Sequence, residues 1–161
     1  MSTNTPVVVA LDPARLAHVR EAGVDHGGNR LEPFVDDEGG WPLRCCLRDS
    51  NVGERIAVVA WQPFTWAGAY AETGPVVIHA DACAGFSGGA VPPQFEDRRQ
   101  LLRPYTAEHR IAYDHTRIVE VDESLADAIH DAFEHAEIQS VLVRNVLAGC
   151  LSFEVVRGVT Q

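Results

Sequence analysis

The amino-acid sequence predicts an α+β fold: a single domain with a mainly antiparallel or mixed β-sheet and two packed helices. Three observations lead there. Strand-like apolar runs outnumber helical ones, and most neighbouring runs are joined by short turns, which favours antiparallel pairing. Helical periodicity emerges in only two places, after Asp12 and after Ser124. Finally, 161 residues with 46% hydrophobic and 22% charged side chains suffice for one core that needs neither metal nor disulfide to be stable.

Taken in order, residues 1–5 carry no pattern and are expected to be disordered. Residues 7–11 form a β-branched strand ending at Asp12-Pro13, an N-cap followed by the residue best suited to the first helical position. Residues 14–22 then read as a short helix with Leu16 and Val19 inward and Gly23 as its stop. A glycine-rich turn at 25–29 precedes an edge strand at 31–35 and an acidic, solvated turn at 36–40. Residues 43–47 read as a strand, as do 56–61, whose unbroken apolar run suits a central strand covered on both faces. The loop 62–73 is aromatic, 76–80 is another buried strand, and 84–93, with three glycines and two prolines, is irregular.

Residues 95–105 fit a helical turn or a strand, with Pro104 limiting either. Residues 110–113 and 116–121 read as a β-pair. The clearest helix is 125–137: Ser124-Leu125-Ala126-Asp127 resembles a capping box, and Leu125, Ile129, Ala132, Phe133 and Ala136 form an inward stripe. Strands at 140–146 and 151–156 close the chain.

The charge balance excludes some roles. Twenty-three acidic against thirteen basic residues give a net charge of −10, which repels phosphate backbones and anionic lipid. The densest basic group, Arg98-Arg99 with Arg103, is too small to offset it. No nucleic-acid or membrane partner is expected. No apolar run approaches the ~20 residues that span a bilayer, and the N-terminus lacks the pattern of a signal peptide. The expected location is cytoplasmic, where cysteines are thiols.

Three segments carry a family likeness. They are Gly40-Trp41-Pro42-x-Arg44-x-Cys46-Leu47-x-Asp49 with Gly53-Glu54 and Pro63-Phe64, then Tyr70-Ala71-Glu72-x-Gly74-Pro75-Val76-x-Ile78-His79-Ala80, then Arg144-Asn145-x-x-x-Gly149-Cys150. Together, over about residues 31–157, they resemble a bacterial family of proteins of unknown function, the DUF1203 family. The resemblance implies a small cytoplasmic single-domain protein and supplies no catalytic residue. Members often have a cysteine between the proline and arginine of the first segment, where this chain has Leu43, so a mechanism needing that thiol would not operate here.

The stretch 41–83 holds all three tryptophans and three of the four cysteines, and it offers three chemistries. Small-molecule or partner binding would use an aromatic pocket of Trp41, Trp61, Phe64, Trp66 and Tyr70, edged by Arg44 and Glu72. Exposed, the same surface suits a homodimer. The second is a Cys/His-dependent enzyme: Cys46 or Cys83 activated by His79, with Glu72 or Asp81 orienting the imidazole. The third is a metal held by His79 and Cys83, with Cys45, Cys46 or Cys150 as further ligands. Cys45 and Cys46 on a strand would point to opposite faces, so only one of them would join His79, and there is no C-x-x-C pair of the kind zinc sites use. Cysteines buried as small apolar side chains are the simpler alternative. His109, His115, His130 and His135 read as solvated, the last two being five apart on a helix and poorly placed to share a metal, and His26, in a glycine turn, points to nothing specific. No cofactor is named by any motif.

Overall fold

The computed structural model describes residues 5–158. Of the five residues expected to be disordered, the first four lie outside the described residues, while Thr5 accepts the N–H of Gly158 through its carbonyl at 3.1 Å. The elements are β1 (Pro6–Val9), α1 (Pro13–Ala22), β2 (Phe34–Val35), β3 (Arg55–Trp61), β4 (Gly74–His79), β5 (Gln100–Thr106), β6 (Arg117–Val119), α2 (Leu125–Glu134), β7 (Ile138–Asn145) and β8 (Leu151–Arg157). They form an α+β fold with two sheets, one of five strands and one of three, whose strand pairs are all antiparallel. The chain divides into two compact units: Ala10–Phe86, and β1 together with everything from Ser87 onward.

In the second of these the sheet runs β1-β8-β7-β5-β6. Its middle strand, β7, is deeply buried, with Val141, Leu142 and Val143 inaccessible to solvent. The segment 95–105 resolves into a short 3₁₀ turn, Pro93–Phe95, and β5. Pro104 is tolerated inside β5 because its carbonyl, and so the position of its missing N–H, faces Ala112 rather than β7, and β6 reaches only as far as Leu102. The expected pairing of 110–113 with 116–121 does not form. His109, at φ 60°, turns the chain back on β5 at once, Tyr113–His115 is a 3₁₀ turn, and β6 pairs with β5 instead. Helix α2 buries Leu125, Ala128, Ile129, Ala132 and Phe133; Ala136 falls beyond its end and is exposed.

In the Ala10–Phe86 unit, α1 is capped as its sequence demands. Asp12 Oδ1 accepts the Arg15 N–H at 2.8 Å, Pro13 opens the helix, and Gly23 closes it in the left-handed region at φ 67°. β3 lies between β2 and β4. Its Ala57–Val59–Trp61 face is buried, but Val58 on the other face is 47% exposed, so the strand is not covered on both sides. The edge strand expected at 31–35 shortens to Phe34–Val35.

Two expectations fail here for physical reasons. Asp36, expected in a solvated turn, is buried: its carboxylate accepts the N–H groups of Glu38 and Gly39 and the Ser50 hydroxyl at 2.5 Å, organising the turn from inside. The run 43–47 is not a strand. Leu43 makes a single parallel bridge to Val77; the chain then curls so that the Leu47 N–H reaches the Leu43 carbonyl, with Leu47 itself at φ 56°. Leu43, Cys45 and Leu47 are apolar because the loop is buried, not because it is extended.

Candidate metal centre

That curl builds the site. The Leu43–Val77 bridge and the hydrogen bond from Arg44 N–H to the Val77 carbonyl, 2.9 Å, lay the loop against β4. Two residues further on, β4 ends at His79, whose N–H donates to Cys45 Sγ at 3.3 Å. Because 44–46 is a turn, Cys45 and Cys46 are not held to opposite faces: their sulfurs lie 3.5 and 3.9 Å from the same atom, His79 Nδ1. After β4 the chain brings Cys83 into the group, and Gly85, in the left-handed region at φ 75°, turns it just beyond Cys83. The ligating atoms of Cys45, Cys46, His79 and Cys83 all lie within 4.8 Å of one another.

These separations match a coordination sphere. Four ligands on a tetrahedron at ~2.3 Å for Zn–S and ~2.1 Å for Zn–N stand ~3.6–3.8 Å apart. The sulfurs also receive backbone donors: His79 N–H on Cys45, Arg48 N–H on Cys46 and Gly85 N–H on Cys83, the last two from the residue two positions after the cysteine. Such donors stabilise thiolates. The imidazole is oriented from behind. His79 Nε2 is 3.2 Å from Glu54 Oε1, so a donating Nε2–H leaves Nδ1 free to face the sulfurs. Arg48 holds Glu54 in turn, with Nη1 on Oε2 at 3.0 Å and Nη2 on Oε1. Arg20 donates through Nε and Nη2 to the His79 carbonyl.

The thiols differ in acidity. Hydrogen bonding to Cys45 lowers the Cys46 pKa from its ordinary value, whereas the same pairing and burial push Cys45 well up. Burial raises Cys83. The Arg48 hydrogen bonds hold Glu54 down to about 2.

Of the residues singled out from sequence, Cys45, Cys46, His79 and Cys83 converge, both adjacent cysteines reaching His79 where only one was expected. Cys150 lies in the turn between β7 and β8, apart from the four. The residue that orients His79 is Glu54, not Glu72 or Asp81: Glu72 is exposed, and Asp81 pairs with Arg55 at 2.7 Å. Glu54 was legible only as part of the Gly53-Glu54 motif, since its contact with His79 spans 25 residues. Arg44 is buried, with Nη1 on the Pro42 carbonyl, rather than standing at a pocket edge. The aromatics pack in separate groups. Trp41 meets Phe34 edge-on at 5.6 Å, Trp61 lies against His26 at 4.4 Å and under Arg15, and Phe64 meets Trp66 at 4.4 Å. Tyr70 is half-buried in the loop beyond them. His26, in the glycine-rich turn, is likewise engaged, its Nδ1 accepting the Gln62 N–H at 2.9 Å.

Fold and site together define a small α+β protein with a three-thiol, one-imidazole cluster. The chain belongs to the family described as protein of unknown function, DUF1203, which matches residues 40–157 and so includes the whole cluster. No curated protein and no solved structure matches it. Leu43 is buried, and the four ligands assemble without a thiol at that position. Among the described residues no helix is long and apolar enough to cross a membrane.

Proposed function

We propose that the Ala10–Phe86 unit is a zinc-thiolate module in which Cys45, Cys46, Cys83 and His79 Nδ1 bind one ion. The observation that carries this reading is the mutual approach of four soft ligands within 4.8 Å, two of them on a loop and two around a strand end. Three sulfurs and one imidazole in tetrahedral reach favour zinc among common ions. Four protein ligands leave no position for substrate, so the centre is structural: it ties the 41–50 loop to the end of β4. Such a site needs reduced cysteines, which supports placing the protein in the cytoplasm.

Elemental analysis of untagged protein tests this. One equivalent of zinc in the parent, lost in both Cys46→Ser and His79→Ala, is the expected result. Metal-free parent protein that also fails to take up added zinc would overturn it.

A second reading has its own support. Cys46, half-buried and 3.9 Å from His79 Nδ1, lies in line with His79 and Glu54 as nucleophile, base and orienting acid. The thiol reading expects Cys46 to be alkylated fastest in the protein as purified; the zinc reading expects alkylation only after chelation.

A further inference from the structure

A second cluster lies in the other unit, where the sequence gives no spacing motif. His115 belongs to the 3₁₀ turn Tyr113–His115, His135 caps the C-terminal end of α2, and Glu137 immediately precedes β7. The two imidazoles stack, with ring centroids 3.9 Å apart and planes 29° from parallel. His115 Nε2 is 3.0 Å from Glu137 Oε1, and one ligating atom from each of the three residues lies within 4.8 Å of the others. His115, expected to be solvated, is half-buried, while His135 is exposed as expected and stacks on it. The i, i+5 spacing with His130 is indeed useless for sharing a metal, but His115 arrives from a different element.

The backbone under these side chains is fixed on every side. The His115 N–H is held by the Ala112 carbonyl. The His135 carbonyl accepts both the Ile138 N–H at 3.1 Å and Arg157 Nη2 at 2.6 Å, while Arg157 Nε donates to the Ile138 carbonyl at 2.7 Å. Arg157 on β8 thereby clamps the 135–138 connection that positions two of the three groups. A cavity of about 210 Å³ adjoins the imidazoles, and Asp114 and Asp131 help line it.

We infer that His115, His135 and Glu137 form a second metal site, for a first-row divalent cation of borderline softness, that keeps open coordination positions facing this cavity. One nitrogen of each imidazole and one Glu137 oxygen stand within 4.8 Å of one another, two nitrogen donors and one oxygen donor grouped closely enough for one ion. Imidazole favours zinc, cobalt or nickel over magnesium or calcium. Three protein ligands leave room for water or a small oxygen ligand, unlike the closed thiolate centre, and Asp114 and Asp131 keep the approach attractive to cations. This site rests on different residues in a different unit, so it stands whether or not the thiolate centre holds zinc.

The test is a cobalt(II) titration of protein preloaded with one equivalent of zinc, followed by absorption spectroscopy and calorimetry. One further equivalent is expected to bind with the weak bands of six-coordinate nitrogen/oxygen ligation and without thiolate charge transfer. His135→Ala and Glu137→Gln, both at exposed positions, are expected to weaken it by about tenfold or more, while His130→Ala, exposed and outside both clusters, leaves it unchanged. Charge transfer from sulfur would mean that cobalt had entered the thiolate centre; if that were its only binding, the inference falls. It also falls if affinity in the parent is no tighter than in a His115→Ala/His135→Ala variant.

Discussion

His79 divides its two ring nitrogens between two tasks, and that division decides what the site can do. Nδ1 faces three sulfurs, while Nε2 faces a carboxylate that is itself gripped by Arg48. Replacing Glu54 with Gln keeps an acceptor but removes the charge that makes the imidazole a stronger donor to metal. Zinc affinity is expected to drop ~10–100-fold, read by competition with a chromophoric chelator; an unchanged affinity would detach Glu54 from the site. Asp36 makes a different case. The Ser50 hydroxyl, with two backbone donors, lowers its pKa below the ordinary 3.8. A depressed carboxylate stabilises the fold above its unfolded pKa and loses that contribution as pH falls through the folded value. Asp36→Asn should therefore unfold at lower urea than the parent at pH 7, and the gap should narrow at pH 3. Neither role was visible in the sequence, where Asp36 reads as one acid in an acidic turn and Glu54 as part of a motif. Both depend on partners brought in by folding: Ser50 lies 14 positions from Asp36 and His79 lies 25 from Glu54.

At the scale of elements, legibility followed how local the instructions are. The limits of α1 could be read residue by residue, because Asp12, Pro13 and Gly23 act on their own backbone neighbours. The start of α2 was half legible. Ser124 accepts the Asp127 N–H as the capping pattern implies, but the Leu125 and Ala126 N–H groups are taken by Glu96, 29 and 30 positions away. Ser124→Ala is expected to cost ~1 kcal/mol in chemical denaturation. Deleting an apolar side chain from the middle of the larger sheet costs more: Leu142→Ala should cost ~2–5 kcal/mol, because Leu142 is fully enclosed. The 41–50 loop was illegible for the opposite reason. Its alternation of apolar and polar residues imitates a strand, yet the pattern arises from burial of a curl. A strand there would put only one of Cys45 and Cys46 beside His79; the curl brings both.

For the whole molecule, the division into two units sets where metal removal should be felt. Chelation is expected to raise hydrogen exchange in residues 41–50 and 79–86 while β5, β7 and β8 keep their protection, because no thiolate ligand lies on those strands. Uniform loss of protection would show that the units do not respond separately. The α+β class, the antiparallel pairing and the two helices were all legible from the sequence, since they follow from composition, turn lengths and periodicity. The division of the strands into two sheets was not, because nothing in a strand's own residues says which distant strand it joins.

The pairing of β1 with β8 has a consequence for how the protein is made. Val7, Val8 and Val9 find their partners Val156, Val155 and Glu154 only when β8 has left the ribosome. At ~5–20 residues per second that wait lasts about 7–30 s. Throughout it, an apolar N-terminal segment is tethered to a module that can already close, and nascent chains truncated before β8 would carry it uncovered, as a ready substrate for chaperones.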